Sequence, residues 1–153
     1  RAEHLMIVDL LRNDLGKISI PGTIRVNEIF KVESHPKVHQ MISNIQGEID
    51  DSINIIDILE ALFPGGSITG APKESAMKII DELENYSRDL YTGSIGYIKS
   101  NGDSNFNISI RTMTIKGKQA VYPVGGGIVW DSNALDEWNE ALLKSEILNF
   151  AMK

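Results

Sequence analysis

Cysteine is missing from all 153 residues, which excludes disulfides, thiolate nucleophiles and zinc sites of the cysteine type. That absence is compatible with a cytoplasmic location, which is the expectation here. Long apolar runs are missing too. Leu5-Met6-Ile7-Val8 meets Asp9, and Ile53 to Leu62 is broken by Asn54, Asp57 and Glu60, so nothing approaches the ~20 residues of a membrane span. Basic clusters are equally scarce. The 15 Lys and Arg are outnumbered by 21 Asp and Glu, and no two basic residues are adjacent. A phosphate backbone needs clustered cations, so neither nucleic acid nor membrane is an expected partner. The 3 histidines, His4, His35 and His39, are too dispersed for a metal motif, and no Gly-x-Ser-x-Gly elbow supports an acyl-transfer nucleophile.

What is present suits an ordered globular unit with 42% hydrophobic and 24% charged residues. A chain of this length can bury roughly 70% of its unfolded surface, enough for one core or a part of a larger one. It opens at Arg1 directly on a helical apolar pattern, without an initiator methionine or targeting segment, and so reads as cut from something longer.

Ala2, Leu5, Met6, Val8 and Leu11 give helical periodicity, with Asn13-Asp14 and Gly16 as the stop. Ile24 to Val32 and Val38 to Ile49 are rich in β-branched residues and read as extended. Asp50-Asp51-Ser52 offers caps for a helix bearing Ile53, Ile56, Leu59 and Phe63 that stops before Pro64. Pro64 to Lys73 is a loop by composition, and Ala76, Ile79, Ile80 and Leu83 begin another helix. Three strands are expected at Tyr91 to Ser100, Phe106 to Ile115 and Gln119 to Val124, joined by hairpin turns at Asn101-Gly102 and Lys116-Gly117. Leu135 to the end reads as a long helix with Leu135, Trp138, Leu142 and Leu148 towards one side. Hairpin strands with grouped helices predict an α+β fold with an antiparallel sheet.

Four features could carry chemistry. Glu137, Glu140 and Lys144 fall at i, i+3 and i+7, so two carboxylates and an ammonium share one helix face. Two carboxylates there suit a hard divalent cation, or else the face is simply solvated, with a Glu140–Lys144 pair. Gly125-Gly126-Gly127 interrupts a strand, as either a bulge or a close backbone approach to a ligand carboxylate. Gly65 to Lys73 ends in Ala-Pro-Lys rather than Gly-Lys-Ser/Thr and is not a phosphate loop. It still presents Ser67, Thr69 and Lys73 at a helix start, where an anion could bind, or it is an ordinary connection. Arg111, among apolar Ile108, Ile110 and Met113 in the middle strand, is either half-exposed or forked against a carboxylate.

Glu3 to Asp14, Pro64 to Lys73 (PGGSITGAPK), Gly93-Ser94-Ile95-Gly96-Tyr97, Ile110-Arg111-Thr112 and Gly125 to Val129 with Asp131-Ser132 together resemble the chorismate-utilising enzymes. The PGGSITGAPK form is most similar to the para-aminobenzoate branch. The resemblance implies the C-terminal portion of one chorismate-binding domain across residues 1–153. It implies Mg2+ as cofactor, held by Glu3, Glu137 and Glu140 and gripping a chorismate carboxylate. Tyr91 and Arg111 would bind the enolpyruvyl carboxylate. Ser67 and the backbone of Gly125, Gly126 and Gly127 would shape the ring pocket, and Lys144 would add positive charge. The implied activity of the parent is amination of chorismate to 4-amino-4-deoxychorismate for folate synthesis, with ammonia from a glutamine amidotransferase subunit. Alternatives are the anthranilate-forming branch and a non-catalytic domain that binds a dianion or a partner.

Two departures stand out. Gln40, with Ser67 one of two candidate catalytic side chains, occupies the place where the family often has histidine. The neighbouring His39 faces the other way on a strand and is no substitute. The Pro-Ile-Lys-Gly-Thr segment typical of the para-aminobenzoate branch, whose lysine is proposed to attack the ring, is not among the 153 residues. The chain alone is therefore expected to give little or no amination.

Overall fold

The computed structural model describes residues 2–35, 38–146 and 148. They form an α+β arrangement of five helices and three separate two-stranded antiparallel sheets, divided into two compact units at Ile80/Asp81. No helix among the described residues is long and apolar enough to cross a membrane.

In the first unit, α1 (Ala2–Gly16) runs through Asn13-Asp14 and stops only at Gly16. Its inner face is set by helical spacing: Ile7, Leu10 and Asp14 share a side, and Val8 and Asp14 are the most deeply buried residues of the helix. The strands β1 (Arg25–His35) and β2 (Val38–Gln46) match the two extended stretches read from composition. Their antiparallel register slips between Asn27 and Lys31. Glu28 and Phe30 take positive φ values of 52° and 59° at this bulge. There the Phe30 N–H reaches Ser43 Oγ at 3.1 Å, and His4 Nε2 lies 2.8 Å from the same oxygen. Ser43 thus ties α1 to both strands.

The helix α2 (Ile55–Leu62) is capped by Asn54 rather than by Asp50-Asp51-Ser52. The Asn54 side chain accepts the Ile56 and Asp57 N–H groups, while the Asp57 carboxylate accepts the Asn54 N–H at 2.8 Å. Ala61 on this helix is buried. The loop expected at Pro64 to Lys73 contains a short helical turn, α3 (Gly66–Thr69). Gly66 lies against α1: a Cβ there would stand 2.9 Å from Leu10 Cδ1, so glycine is required for this approach. Next comes α4 (Lys73–Leu83). Its first residue reaches back to α1, because Lys73 Nζ donates to Asp14 Oδ2 at 2.7 Å while Lys17 Nζ donates to Asp14 Oδ1 at 2.8 Å. Burial pushes the Asp14 carboxyl up. The hydrogen bonds and charges of Lys17 and Lys73 outweigh that and hold it below the usual carboxylate range.

In the second unit, β3 (Ser94–Ile98) pairs with β4 (Ser104–Ile108), and β5 (Thr114–Lys116) with β6 (Gln119–Val121). The hairpin turns fall where expected, with Gly102 and Gly117 at φ 91° and 63°. The middle strand, however, does not run from Phe106 to Ile115. It breaks at residues 109–113, where Arg111 sits at φ 50°, a value that ends a ladder and that few side chains adopt. Helix α5 (Ala134–Ser145) follows an Asn133 cap whose side chain accepts the Leu135 N–H. Leu135, Trp138 and Leu142 share a side as the periodicity requires, yet all three are exposed, as are Ile95 and Tyr97, and Trp130 is 99% exposed.

Candidate active site

Three charged side chains of the second unit converge on Gly126. A Cβ at that residue would stand 3.1 Å from Glu137 Oε2, 3.5 Å from Glu140 Oε1 and 3.8 Å from Lys144 Nζ. The absent side chain therefore leaves an open cradle bordered by two carboxylates and one ammonium. Their common side follows from helical spacing on α5. The ammonium of Lys144 bonds Glu140 Oε1 at 2.6 Å and the Gly125 carbonyl at 2.9 Å, which pins the glycine segment to the helix. Glu140 is 53% exposed in this pair, so the contact is worth only a few tenths of a kcal/mol and Glu140 remains easy to recruit.

Glu137 is held differently. Its Oε1 accepts a hydrogen bond from Ser132 Oγ at 2.5 Å, and that hydroxyl oxygen in turn accepts the Val129 N–H at 3.0 Å. A further bond from Ser132 N–H to the Val129 carbonyl, 3.0 Å, closes a tight turn immediately before the helix cap.

Tyr91 meets the same segment. A Cβ at Gly125 would stand 2.7 Å from the Tyr91 hydroxyl, so the ring has room only because residue 125 is glycine. Burial pushes the Tyr91 phenol up, with the Arg88 charge opposing it, and the phenol stays protonated at neutral pH. Arg88 lies 5.9 Å over the ring and is itself held by Glu84 through two bonds of 2.6 and 2.7 Å. Tyr91 also lines a cleft of about 430 Å3 with Arg88, Thr112, Thr114, Lys116 and Gln119. Neither carboxylate of the cradle borders that cleft.

The structure thus brings together Tyr91, Gly125, Gly126, Glu137, Glu140 and Lys144. The third glycine, Gly127, has open space where a Cβ would sit and is not demanded by a close approach. Arg111 is exposed on the bend after β4 rather than within a strand, and it makes no ion pair among the described residues. The side chain of Glu3 lies outside the described residues. In the first unit, Ser67 is exposed on α3. Thr69 Oγ1 is engaged with the carbonyls of Gly65 and Gly70, and Lys73 with Asp14, so neither is the free anion ligand that the loop composition suggested. Gln40 faces Glu33 across the β1–β2 ladder, and His39 faces Ser34 with its Nδ1 2.9 Å from Ser34 Oγ. Among the described residues no group of three His, Cys, Asp or Glu side chains stands together as a metal site.

Residues 1–149 match the family described as chorismate binding enzyme. The chain belongs to the chorismate-binding enzyme family. It is similar to aminodeoxychorismate synthase component 1 of Salmonella typhimurium, 51% identical over 144 residues (94% of this chain, 32% of the relative), and of Bacillus subtilis, 48% identical over 153 residues (100% and 33%). Among solved structures it resembles anthranilate synthase component I from Streptococcus pneumoniae, with a TM-score of 0.89 at 41% identity, covering 95% of this chain and 33% of that one. The chain therefore spans about a third of the length of the relatives it matches.

Two contacts of the described residues are hard to read from the sequence. Asp14 falls at the helix stop, and helical spacing puts it on one side of α1 with Glu3, Ile7 and Leu10. Ser132 belongs to the Asp131-Ser132 step of the family pattern, but its contact with Glu137 depends on the turn that precedes the helix cap and is not marked in the sequence.

Proposed function

We propose that this chain supplies the carboxylate-gripping end of a chorismate aminase of the para-aminobenzoate branch. The observation that carries this reading is the cradle at Gly126, where Glu137 and Glu140 converge on a backbone bare of side chain. The donor set fits magnesium, which takes one or two protein carboxylates and fills its remaining positions with water and substrate oxygens. Glu137 and Glu140 would hold it, with Glu3 as the third carboxylate implied by the family resemblance. When bound, the ion would neutralise and orient a chorismate carboxylate.

The protein groups divide the rest of the work. Lys144 places a positive charge beside the cradle and keeps the Gly125 carbonyl in place. Tyr91 offers a protonated phenol as donor to the enolpyruvyl carboxylate, and Arg111 offers a guanidinium without a competing carboxylate among the described residues. Ser67 shapes the ring pocket, and Gln40 holds the leaving hydroxyl by hydrogen bonding where a histidine would also exchange a proton. In the amination, the nitrogen of ammonia bonds to the ring carbon. The carbon–oxygen bond breaks, and the hydroxyl leaves as water with the proton that the incoming nitrogen sheds. A glutamine amidotransferase subunit would supply the ammonia, a reading supported by the designation of the relatives as component 1.

The test is product analysis of the full-length protein given chorismate, magnesium and an ammonium salt. Aminodeoxychorismate without pyruvate is the expected product. Anthranilate with pyruvate would favour the other branch, to which the 41% identity with the Streptococcus pneumoniae enzyme gives some weight. Formation of neither product would reject chorismate amination.

A further inference from the structure

We propose that Ser132 is the positioning residue that aims Glu137 into the cradle. The inference rests on the reading of Glu137 and Glu140 as magnesium carboxylates and adds a residue that this reading does not contain. A glutamate on an open helix face samples several rotamers, and either oxygen can face outward. Here one oxygen is occupied: Ser132 Oγ donates its only proton to Glu137 Oε1 at 2.5 Å. The direction of that proton is set in turn, because the hydroxyl oxygen accepts the Val129 N–H at 3.0 Å and the 129–132 turn is closed by a second bond of 3.0 Å. The remaining oxygen, Oε2, is the one that stands 3.1 Å from the Cβ position of Gly126. A hydroxyl is required for this arrangement. It must accept from a backbone amide and donate to a carboxylate at once, which neither alanine nor an amide can do in the same space.

The chain of bonds also links the two halves of the cradle. Val129 is two residues beyond the glycine segment, and Glu137 lies in the first turn of α5, so Ser132 sets the distance between the backbone and the carboxylate that faces it. Groups that orient metal-binding carboxylates typically contribute 10–100-fold in metal affinity.

The test measures magnesium affinity by calorimetry in the full-length protein with chorismate present, for Ser132→Ala, Ser132→Cys, Ser132→Thr and Glu140→Ala. Ser132→Ala is expected to weaken magnesium binding about 10-fold without changing the far-ultraviolet circular dichroism. Ser132→Cys, close in size but a weak donor, should show a similar loss and serves if the alanine variant does not fold. Ser132→Thr retains the hydroxyl and should stay within about twofold of the parent, a rescue that a purely structural role would not require. If Ser132→Ala and Ser132→Cys bind magnesium like the parent while Glu140→Ala does not, the positioning role is overturned and the proposed function stands. The role is overturned as well if Ser132→Thr binds as weakly as Ser132→Ala. If Glu140→Ala binds like the parent too, the metal reading fails and takes this inference with it.

Discussion

Glu140→Ala is expected to abolish the magnesium-dependent component of chorismate binding, a loss on the order of 100-fold or about 2.7 kcal/mol. Removing Glu140 leaves Glu137 as the one carboxylate at Gly126, with Glu3 the only other carboxylate proposed for the ion, and a divalent cation that loses a charged ligand competes less well with bulk hydration. The fold should not suffer. The Lys144–Glu140 pair is an exposed i,i+4 contact worth a few tenths of a kcal/mol, and Lys144 keeps its bond to the Gly125 carbonyl. Glu140→Gln, which keeps the shape and removes the charge, should lose binding nearly as fully. Calorimetric titration of chorismate with and without magnesium reads both effects. Unchanged affinity in either variant would mean that the acidic face of α5 is only a solvated surface.

The largest effect on stability is expected at Asp14. Its side chain is 3% exposed and receives lysines from two directions, one of them 59 residues away. Asp14→Asn leaves Lys17, already half in water, almost indifferent. It strands Lys73, whose side chain is 23% exposed, against the inner face of α1. Breaking a fully buried ion pair costs ~3–5 kcal/mol, and the partial exposure of Lys73 lowers the expectation to about 2–3 kcal/mol. The anchor between α1 and the start of α4 goes with it, and Ser67 lies on the segment between them. The pH dependence follows from linkage. The folded carboxyl titrates below its ordinary range, so its stabilisation is complete above that range and is lost as pH falls through the lowered folded value. The gap between the urea midpoints of the parent and Asp14→Asn should be full at pH 7 and shrink as pH falls below the ordinary carboxylate range. Equal midpoints at pH 7 would refute a stabilising role.

Local signals carried much of this fold. Asn101-Gly102 and Lys116-Gly117 placed both hairpins because a tight antiparallel turn needs left-handed backbone, which glycine adopts freely. The two extended segments at β1 and β2 were legible from β-branched residues. The break at Arg111 was not, since a positive φ on a non-glycine residue leaves no mark in the sequence and is imposed by surroundings. The cap at Asn54 was readable in principle from Asn54 and Asp57 three residues apart, but the acidic run at Asp50-Asp51-Ser52 masked it. Helical periodicity likewise told which residues share a side of α5. It did not tell whether that side is covered, and Leu135, Trp138 and Leu142 remain exposed.

The site divides the same way. Glu137, Glu140 and Lys144 were legible because one helix fixes their spacing. That Gly126 is the residue they surround, that Gly125 makes room for Tyr91, and that Ser132 holds Glu137 all depend on the course of the chain between residues 122 and 133.

The central claim is that the Gly126 cradle binds chorismate through a divalent cation, and calorimetric titration of chorismate into the full-length protein tests it most directly. The expected result is saturable binding in magnesium that disappears when a chelator replaces the metal. Equal affinity in magnesium and in chelator, or no binding in either, would contradict it.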